Sequence, residues 1–456
     1  MTISSFKQTK NKTRRKRWLI LLMLILAVML AGYINRERLQ RVMAVFVIYR
    51  EHIFTPSSSI TNQSKWRRFW NEAQFYWDIS ELRMAREKRL KQMSPSIKPL
   101  ITEINRRQAA AEAMPYSMHI YREIRWRLNF TSDTVATRLR IGDLRQSISQ
   151  PAEQKLASVQ QSSDGSWGAG ISVWYLRLYY SIDNLVDSIH PRFPLSFLDR
   201  INSPEKLKTQ LDSDLYDNFT KTGMFNREEL DETFSAIARL LNKSKPIAYH
   251  FHPQLDSALK DYVKHWQNTE TGCWGQWMVD RYGNIWKMDD MGITFHVISD
   301  LKGQVEHKDL IAKRLLQLDD VDFPAGIKFN GHYENHLNWD AVKIFRYAWP
   351  FLDGATREKV RTEIYRMLNW CLAKSYQPDG SFKISDLDDT MGDAYRYGVA
   401  FLSETGYFQS KDRFWTGQNF PEAKAVHDHI ESKLLSIGLN NSGLRDAYQT
   451  LNGKGF

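Results

Sequence analysis

An aromatic residue set beside a glycine turn recurs in this 456-residue chain at nearly constant intervals, and a repeat of that kind constrains the architecture more than any other feature. Leu156-x3-Gln160 runs on through DGSW to Trp167, and Tyr262-Val263-x3-Gln267 through TGCW to Trp274. Leu372 precedes Gln377 by one extra residue, and Gln377 leads through PDGSF to Phe382. Trp167 and Trp274 are 107 residues apart, and Trp274 and Phe382 are 108 apart. Weaker copies fall near the midpoints, at Gly223-Met224-Phe225 and Gly326-Ile327-Lys328-Phe329. The series Trp167, Phe225, Trp274, Phe329, Phe382 then has steps of 58, 49, 55 and 53. Runs with helical periodicity follow the marks, at 171–186, 228–241, 290–301, 335–352 and 389–402, and others precede them, at 205–219, 254–267, 307–318 and 356–376. Each step therefore spells one helical hairpin. The glycine supplies a tight turn, the aromatic fills the gap to the next hairpin, and the glutamine can bond free backbone groups at a helix end. Hairpins that cannot bury their apolar faces alone stack, and the stack either extends as a solenoid or closes into a ring.

At these residues the chain resembles the terpenoid cyclase and protein prenyltransferase superfamily, whose triterpene cyclases carry a QW motif of the form Gln-x(2–5)-Gly-x-Trp. The resemblance covers roughly 150–410. It implies an all-α fold, an α/α toroid of about five to six helical hairpins, with inner helices lining a central cavity and outer helices forming the rim. Asp386-Leu387-Asp388-Asp389-Thr390 matches the DxDD(T) string of the class II terpene cyclases. By that resemblance Asp388 is the general acid and Asp386 and Asp389 support it. The second domain of those enzymes is not evident, and Met288-Asp289-Asp290-Met291-Gly292 parallels Asp388-Asp389-Thr390-Met391-Gly392, as a signature of the repeat itself would.

The front of the chain is of another kind. Residues 1–17 hold seven Lys or Arg and no acid, and no charge interrupts Trp18 to Ile34. An uncharged stretch over 18–35 makes a helix of about 27 Å, near the minimum for a bilayer core, with Trp18 and Tyr33 where interfacial aromatics belong. The rival reading, a cleaved signal peptide, needs small residues near Met29-Leu30-Ala31 where bulky ones stand. Arg14-Arg15-Lys16-Arg17 on the leading side outweighs Arg36, Arg38 and Arg41 on the trailing side. That places 1–17 as a cytoplasmic tail, 18–35 as a signal anchor and the bulk of the chain outside the cytoplasm. The chain's net charge of +11 is concentrated at this end, since 35–150 carries 21 basic and 11 acidic residues whereas 151–456 carries 35 and 41. Residues 36–149 read as a basic helical juxtamembrane stalk, with Thr55–Ser64 as a polar linker. Trp66, Phe69, Trp70, Phe75, Trp77 and Leu82 lie among Lys and Arg over 65–91, as in a solvated amphipathic helix or one that meets anionic lipid. No nucleic-acid recognition motif accompanies the basic region. Residues 411–456 read as a C-terminal extension.

Candidate chemistry gathers at the starts of helices. Asp289 and Asp290, Glu334 with Asn335, His336, Asn338 and Asp340, and Asp386, Asp388 and Asp389 each put two or more polar groups at a first turn. Helix capping explains any one of them. Three such starts facing one cavity instead suit acid–base work, because crowded carboxylates cannot all ionise. Asp289, Asp290, Glu334, Asp340, Asp386, Asp388 and Asp389 are therefore the catalytic candidates. Trp274, Trp277, Trp286, Trp339, His296 and His336 are the candidates for binding, as aromatic platforms beside an acid pair suit a glycan. Cys273, His296, His332 and His336 do not keep the Asp-x-Cys spacing of the prenyltransferase zinc site, since Asp280 lies seven residues after Cys273. The sequence implies no metal and no cofactor. With two cysteines there is no disulfide framework, and no serine elbow, P-loop or dinucleotide fingerprint occurs. The expectation is a membrane-anchored toroid with an acidic, Trp-rich cavity for an envelope-associated ligand, a glycan or an isoprenoid-linked molecule. The alternatives are a non-catalytic envelope scaffold and an acid-initiated cyclase.

Overall fold

The computed structural model describes residues 51–109, 114–130, 133–149, 161–167, 173–186, 191–222, 227–242, 249–385, 390–439 and 442–453, together with 43, 45, 48, 49 and 247. The tail at 1–17 and the apolar run at 18–35 lie outside these residues, as do Asp386, Asp388 and Asp389. Among the described residues no helix is long and apolar enough to cross a membrane. The chain divides into two compact units, 1–52 with 63–87, and 53–62 with 88–456.

The described chain is mostly helical with one small sheet. Helix α1, Lys65–Ala109, begins in the first unit and ends in the second, where α2 (Pro115–Phe130) and α3 (Thr134–Ser149) pack on each other. Ten residues of core, from Met93 to Leu144, hold this part together. From there two sets of helices alternate. One set is α4 (Trp174–Val186), α6 (Arg227–Leu241), α8 (Met291–Asp300), α10 (Asn335–Ala348), α12 (Met391–Glu404) and α14 (Ser442–Leu451), and each member packs on the next. The other set is α5 (Pro204–Leu215), α7 (Leu255–Trp266), α9 (Lys308–Gln317), α11 (Gly354–Trp370) and α13 (Ala423–Ile437). These pack on the first set, α5 on α6, α9 and α11 on α10, and α13 on α14. Residues 411–456 thus continue the alternation instead of extending beyond it.

Burial distinguishes the two sets. In α7 the buried residues are Leu255, Leu259, Tyr262, Val263 and Trp266, a single stripe at helical spacing. In α9 only Ile311, Ala312 and Leu315 are buried. By contrast, α8 buries seven of its ten residues and α10 nine of fourteen, so these helices are covered on nearly every side. The first set is therefore an inner layer and the second an outer one.

The glycine turns join the layers through backbone satisfaction. Gln267 donates from Nε2 to the carbonyls of Gly272 (2.8 Å) and Glu306 (3.0 Å). Gln161 does the same with Gly165 (2.7 Å) and Phe193 (3.3 Å). The equivalent of Gln267 is thus Gln161 and not Gln160, which lies outside the described residues. Gln377, one position later, turns back to the carbonyls of Ser375 and Tyr376. Asp164 and Asp379 match closely, each accepting from the backbone and hydroxyl of the serine two residues on. The aromatic marks are buried, Trp167, Trp274 and Phe382 alike. Trp167 N–H donates to Ser181 Oγ and Trp274 N–H to Thr294 Oγ1, which ties each turn to the inner helix that follows it.

A four-stranded sheet in the order β1-β4-β3-β2 breaks the helical pattern, with β1 at Phe54–Pro56, β2 at Tyr216–Asp217, β3 at Trp277–Val279 and β4 at Ile285–Met288. β3 and β4 form an antiparallel hairpin whose turn is held by Asp280, which accepts from the backbone N–H groups of Tyr282 and Asn284 and from Trp286 Nε1. β1 adds to β4 with Phe54 opposite Met288, so Thr55–Ser64 contributes a strand residue pair and is not simply a linker.

Gly380 has φ +83°, and a Cβ there would lie 2.3 Å from the carbonyl oxygen of His429 on α13. Gly283 has φ +78° but open space around it. Both alanine substitutions carry the left-handed backbone cost of about 1–2 kcal/mol, and only Gly380→Ala adds a clash with main chain. Thermal melts should therefore show a clearly larger drop for Gly380→Ala than for Gly283→Ala, and equal drops would mean that the turn does not dock against α13.

Candidate functional site

Four inner helices bring charged groups to one place. Asp290 is the N-cap of α8, where its Oδ1 accepts from the backbone N–H of Ile293 at 2.9 Å. The same carboxylate takes a two-pronged bond from Arg227 at the start of α6, Nε to Oδ2 at 2.6 Å and Nη2 to Oδ1 at 3.0 Å. One turn along α6, Asp231 lies 3.3 Å from the Arg227 guanidinium and bonds Nδ1 of His296 on α8 at 2.6 Å. The result is a chain of groups, Asp290–Arg227–Asp231–His296, in which every charge has a partner. Burial opposes protonation of Arg227, and Asp290 followed by Asp231 reverses this and holds it charged. Burial pushes Asp290 up from the ordinary carboxylate range, and the guanidinium opposes that rise. For His296 burial again opposes the charge, but the Asp231 carboxylate, with Glu232 and Asp300 beyond it, raises the imidazole to about 10. Asp231 is correspondingly held below its usual range, as His296 and Arg227 outweigh its burial. The pair is an imidazolium and a carboxylate at neutral pH.

Helix α10 adds groups of opposite character. His336 and Asp340 are one turn apart, with Nε2 and Oδ2 separated by 3.9 Å. The His336 ring lies flat on Tyr397 of α12, at 3.8 Å between centroids and 8° between planes. Trp339 touches both Phe295 (5.1 Å) and Tyr397 (5.9 Å), and Lys343 Nζ sits 5.2 Å from the Trp339 ring centre. The His336 and His296 side chains are 30% and 28% exposed, whereas that of Asp340 is 3% exposed. Asp340 Oδ1 has no hydrogen-bond partner, nor has either amide atom of the neighbouring Asn338. Burial raises Asp340 from 3.8 to about 8, the positive charge of His296 only partly offsetting it, so this residue is a neutral carboxylic acid at neutral pH. Burial and then the charge on His296 lower His336 to about 3, leaving it neutral. Trp339 and Lys343 also border an open pocket of about 350 Å³, with Arg346, Ser403, Glu404 and Asp412 on its other sides.

The remaining candidates fall elsewhere. Asp289 follows the chain outward, accepting from Arg314 Nε of α9 at 2.8 Å and from Thr271 Oγ1 at 2.7 Å, and it anchors the outer layer to the turn. Trp274, Trp277 and Trp286 are all buried. Trp274 donates to the Val263 carbonyl and Trp286 to Asp280, so these three form core and sheet. Glu334 is the half-buried N-cap residue of α10 without a side-chain capping bond. Of the DxDDT string only Thr390 is described, and it caps α12 by accepting from the Asp393 N–H. The Cys273 thiol is buried and pushed up by that burial. Among the described residues no group of three or more His, Cys, Asp or Glu could hold a metal ion.

Arg227, Asp231 and Tyr397 belong to this cluster of side chains, and the sequence did not single them out. A cation at the first position of a helix opposes the helix dipole, and that local conflict is the one signal that points to Arg227. Its partner lies 63 residues away.

Arg227→Met removes the one cation among the described residues that touches both Asp290 and Asp231, and a buried pair broken from one side typically costs about 3–5 kcal/mol. The substitution should lower the melting temperature sharply, and adding Asp290→Asn to it should recover part of the loss. A melting temperature within experimental error of the parent would show that the two carboxylates do not depend on Arg227. No family model, curated protein or solved structure matches the chain.

Proposed function

We propose that the chain is a membrane-anchored enzyme whose alternating helices form an α/α toroid, and that its inner face performs acid-assisted cleavage of a glycan in the cell envelope. Asp340 carries this reading. A buried carboxyl with a free oxygen, kept protonated near neutral pH and set near two partly exposed imidazoles, has what a general acid needs, a proton to give. In this scheme Asp340 gives its proton to the leaving oxygen as the glycosidic C–O bond breaks, and a water attacks the electron-poor carbon and returns a proton to the Asp340 carboxylate, which closes the cycle. Trp339, with Phe295 and Tyr397 against it and Lys343 at its face, supplies an apolar plane beside polar groups, which suits a sugar ring. The same charged lining suits an isoprenoid tail poorly, since each ion facing an apolar chain would lose solvation without gaining a partner. The anchor at 18–35, with the bulk of the chain outside the cytoplasm, supports an envelope glycan as substrate.

The alternative is a non-catalytic envelope scaffold, and one observation favours it. Asp290, Arg227, Asp231 and His296 saturate one another, as groups that hold helices together do. Asp340→Asn separates the two readings. It should reduce cleavage of a responsive envelope glycan by about 10²-fold or more, the usual contribution of a positioned acid, with ligand binding largely retained. Unchanged turnover would remove Asp340 from the chemistry and overturn this mechanism, and bound glycan that neither protein alters would support the scaffold.

The pH dependence has a definite sign. Asp340 is raised from 3.8 to about 8 in the folded chain, so the stability it contributes is full below about 4 and is lost as pH climbs towards 8. His296, raised from 6.5 to about 10, loses its contribution over that higher window. Turnover should fall as pH passes about 8. The melting temperature of Asp340→Asn relative to the parent should become more favourable between pH 5 and pH 8, and a flat difference would mean that Asp340 titrates normally.

A further inference from the structure

We propose that the first two turns of α1 are a second membrane contact, in which Trp66, Phe69 and Trp70 enter the interface of an anionic bilayer and Lys65, Arg67 and Arg68 engage its head groups. Trp66 is 69% exposed and Trp70 53% exposed, among the most exposed large apolar residues described. At i, i+3 and i+4 the three rings share one face and cover one another, with Trp66 stacked on Phe69 at 5.9 Å and edge-on to Trp70 at 5.8 Å. A single exposed aromatic is ordinary, but three in mutual contact form a patch that needs an explanation.

The charges point to the partner. The first turn of α1 carries no acid, and none of Lys65, Arg67 and Arg68 forms an ion pair among the described residues. Cations at a helix N-terminus work against the dipole, so the helix end itself does not compensate for them. Anionic lipid does compensate, and tryptophan prefers that boundary because its ring is apolar and its N–H is wet. The 31 residues from 35 to 65 separate this patch from the apolar run that ends at Ile34, short enough for both to meet one bilayer. The proposal rests on the membrane reading only for its location.

The test uses the full chain with an environment-sensitive fluorophore on Ser64→Cys or, as control, on the exposed Glu81→Cys of the same helix; Cys273 and Cys371 are buried. Vesicles of phosphatidylcholine are compared with vesicles containing phosphatidylserine. In the phosphatidylserine vesicles the label at 64 should shift to the blue and be quenched by lipids carrying a shallow spin label, and the label at 81 should not. Adding Trp66→Ser and Trp70→Ser should reduce that response several-fold. A label at 64 that stays in water while the chain floats with the vesicles overturns this contact and leaves the anchor standing, whereas a chain that neither floats nor responds overturns both. A shift that depends on protein concentration and not on lipid assigns the patch to a second copy of the chain and likewise overturns the proposal.

Discussion

The turns that carry Trp167, Trp274 and Phe382 have backbone that must be satisfied away from water, and the side chains that do this tie one hairpin to the next. Gln267 bonds the carbonyl of Gly272 within its own turn and that of Glu306 at the next outer helix, so one amide links two hairpins. Gln161 repeats the arrangement with Gly165 and Phe193. The glycines cannot be exchanged, because their backbone is left-handed and the main chain of the following hairpin lies where a Cβ would be: Pro194 for Gly165, His307 for Gly272 and His429 for Gly380. Each turn is therefore pressed against the next hairpin. A buried polar backbone is tolerated only when paired, and this pairing is what lets hairpins stack at fixed intervals.

The cap positions that follow are where structure and chemistry compete. Asp289 and Asp290 are consecutive, yet the extended backbone at a helix start sends them to opposite sides. Asp289 goes outward to Arg314 and Asp290 inward to Arg227. One serves the joint between layers. The other places a carboxylate on the inner face, where Arg227, Asp231 and His296 then assemble around it. On α10 the same position is taken by Glu334, which does not cap, and the polar groups move one to two turns along the helix to His336, Asn338 and Asp340. The repeat supplies equivalent places, and different residues use them differently.

That division explains what could be read from the sequence. The helices were legible because most carry an apolar stripe at helical spacing, as α7 and α6 do, and one, α8, is apolar almost throughout. The strands were not, since two to four residues are too short for a period of two to declare itself, and Trp277 and Trp286 look the same in a strand as on a binding surface. Asp290, His296, His336 and Asp340 were legible as polar groups near the beginnings of helices. Arg227, Asp231 and Tyr397 were not, because what gives them meaning is a partner on another helix: Asp290 is 63 residues from Arg227, and His296 is 65 from Asp231. Nor could sequence separate Trp339, which is half-buried among site residues, from Trp274, which is locked into the core by its own N–H.

The contrast between two acids on the inner face then fixes what the site can do. Asp231 and Asp340 are both nearly inaccessible, and burial alone would protonate both. Asp231 escapes because His296 and Arg227 touch it directly, while Asp340 meets only a neutral imidazole at 3.9 Å and feels those cations from further away. His336 stays neutral for the complementary reason, since burial and the nearby charge on His296 both resist a second imidazolium. His296 and Arg227 therefore hold one carboxylate ionised, burial and then the charge on His296 keep the second imidazole uncharged, and Asp340 has no cation in contact with it among the described residues. Asp231, His336 and Asp340 are thus set apart in protonation by their burial and their different neighbours, and this ordering, more than the number of acids present, decides which of them carries a proton at neutral pH.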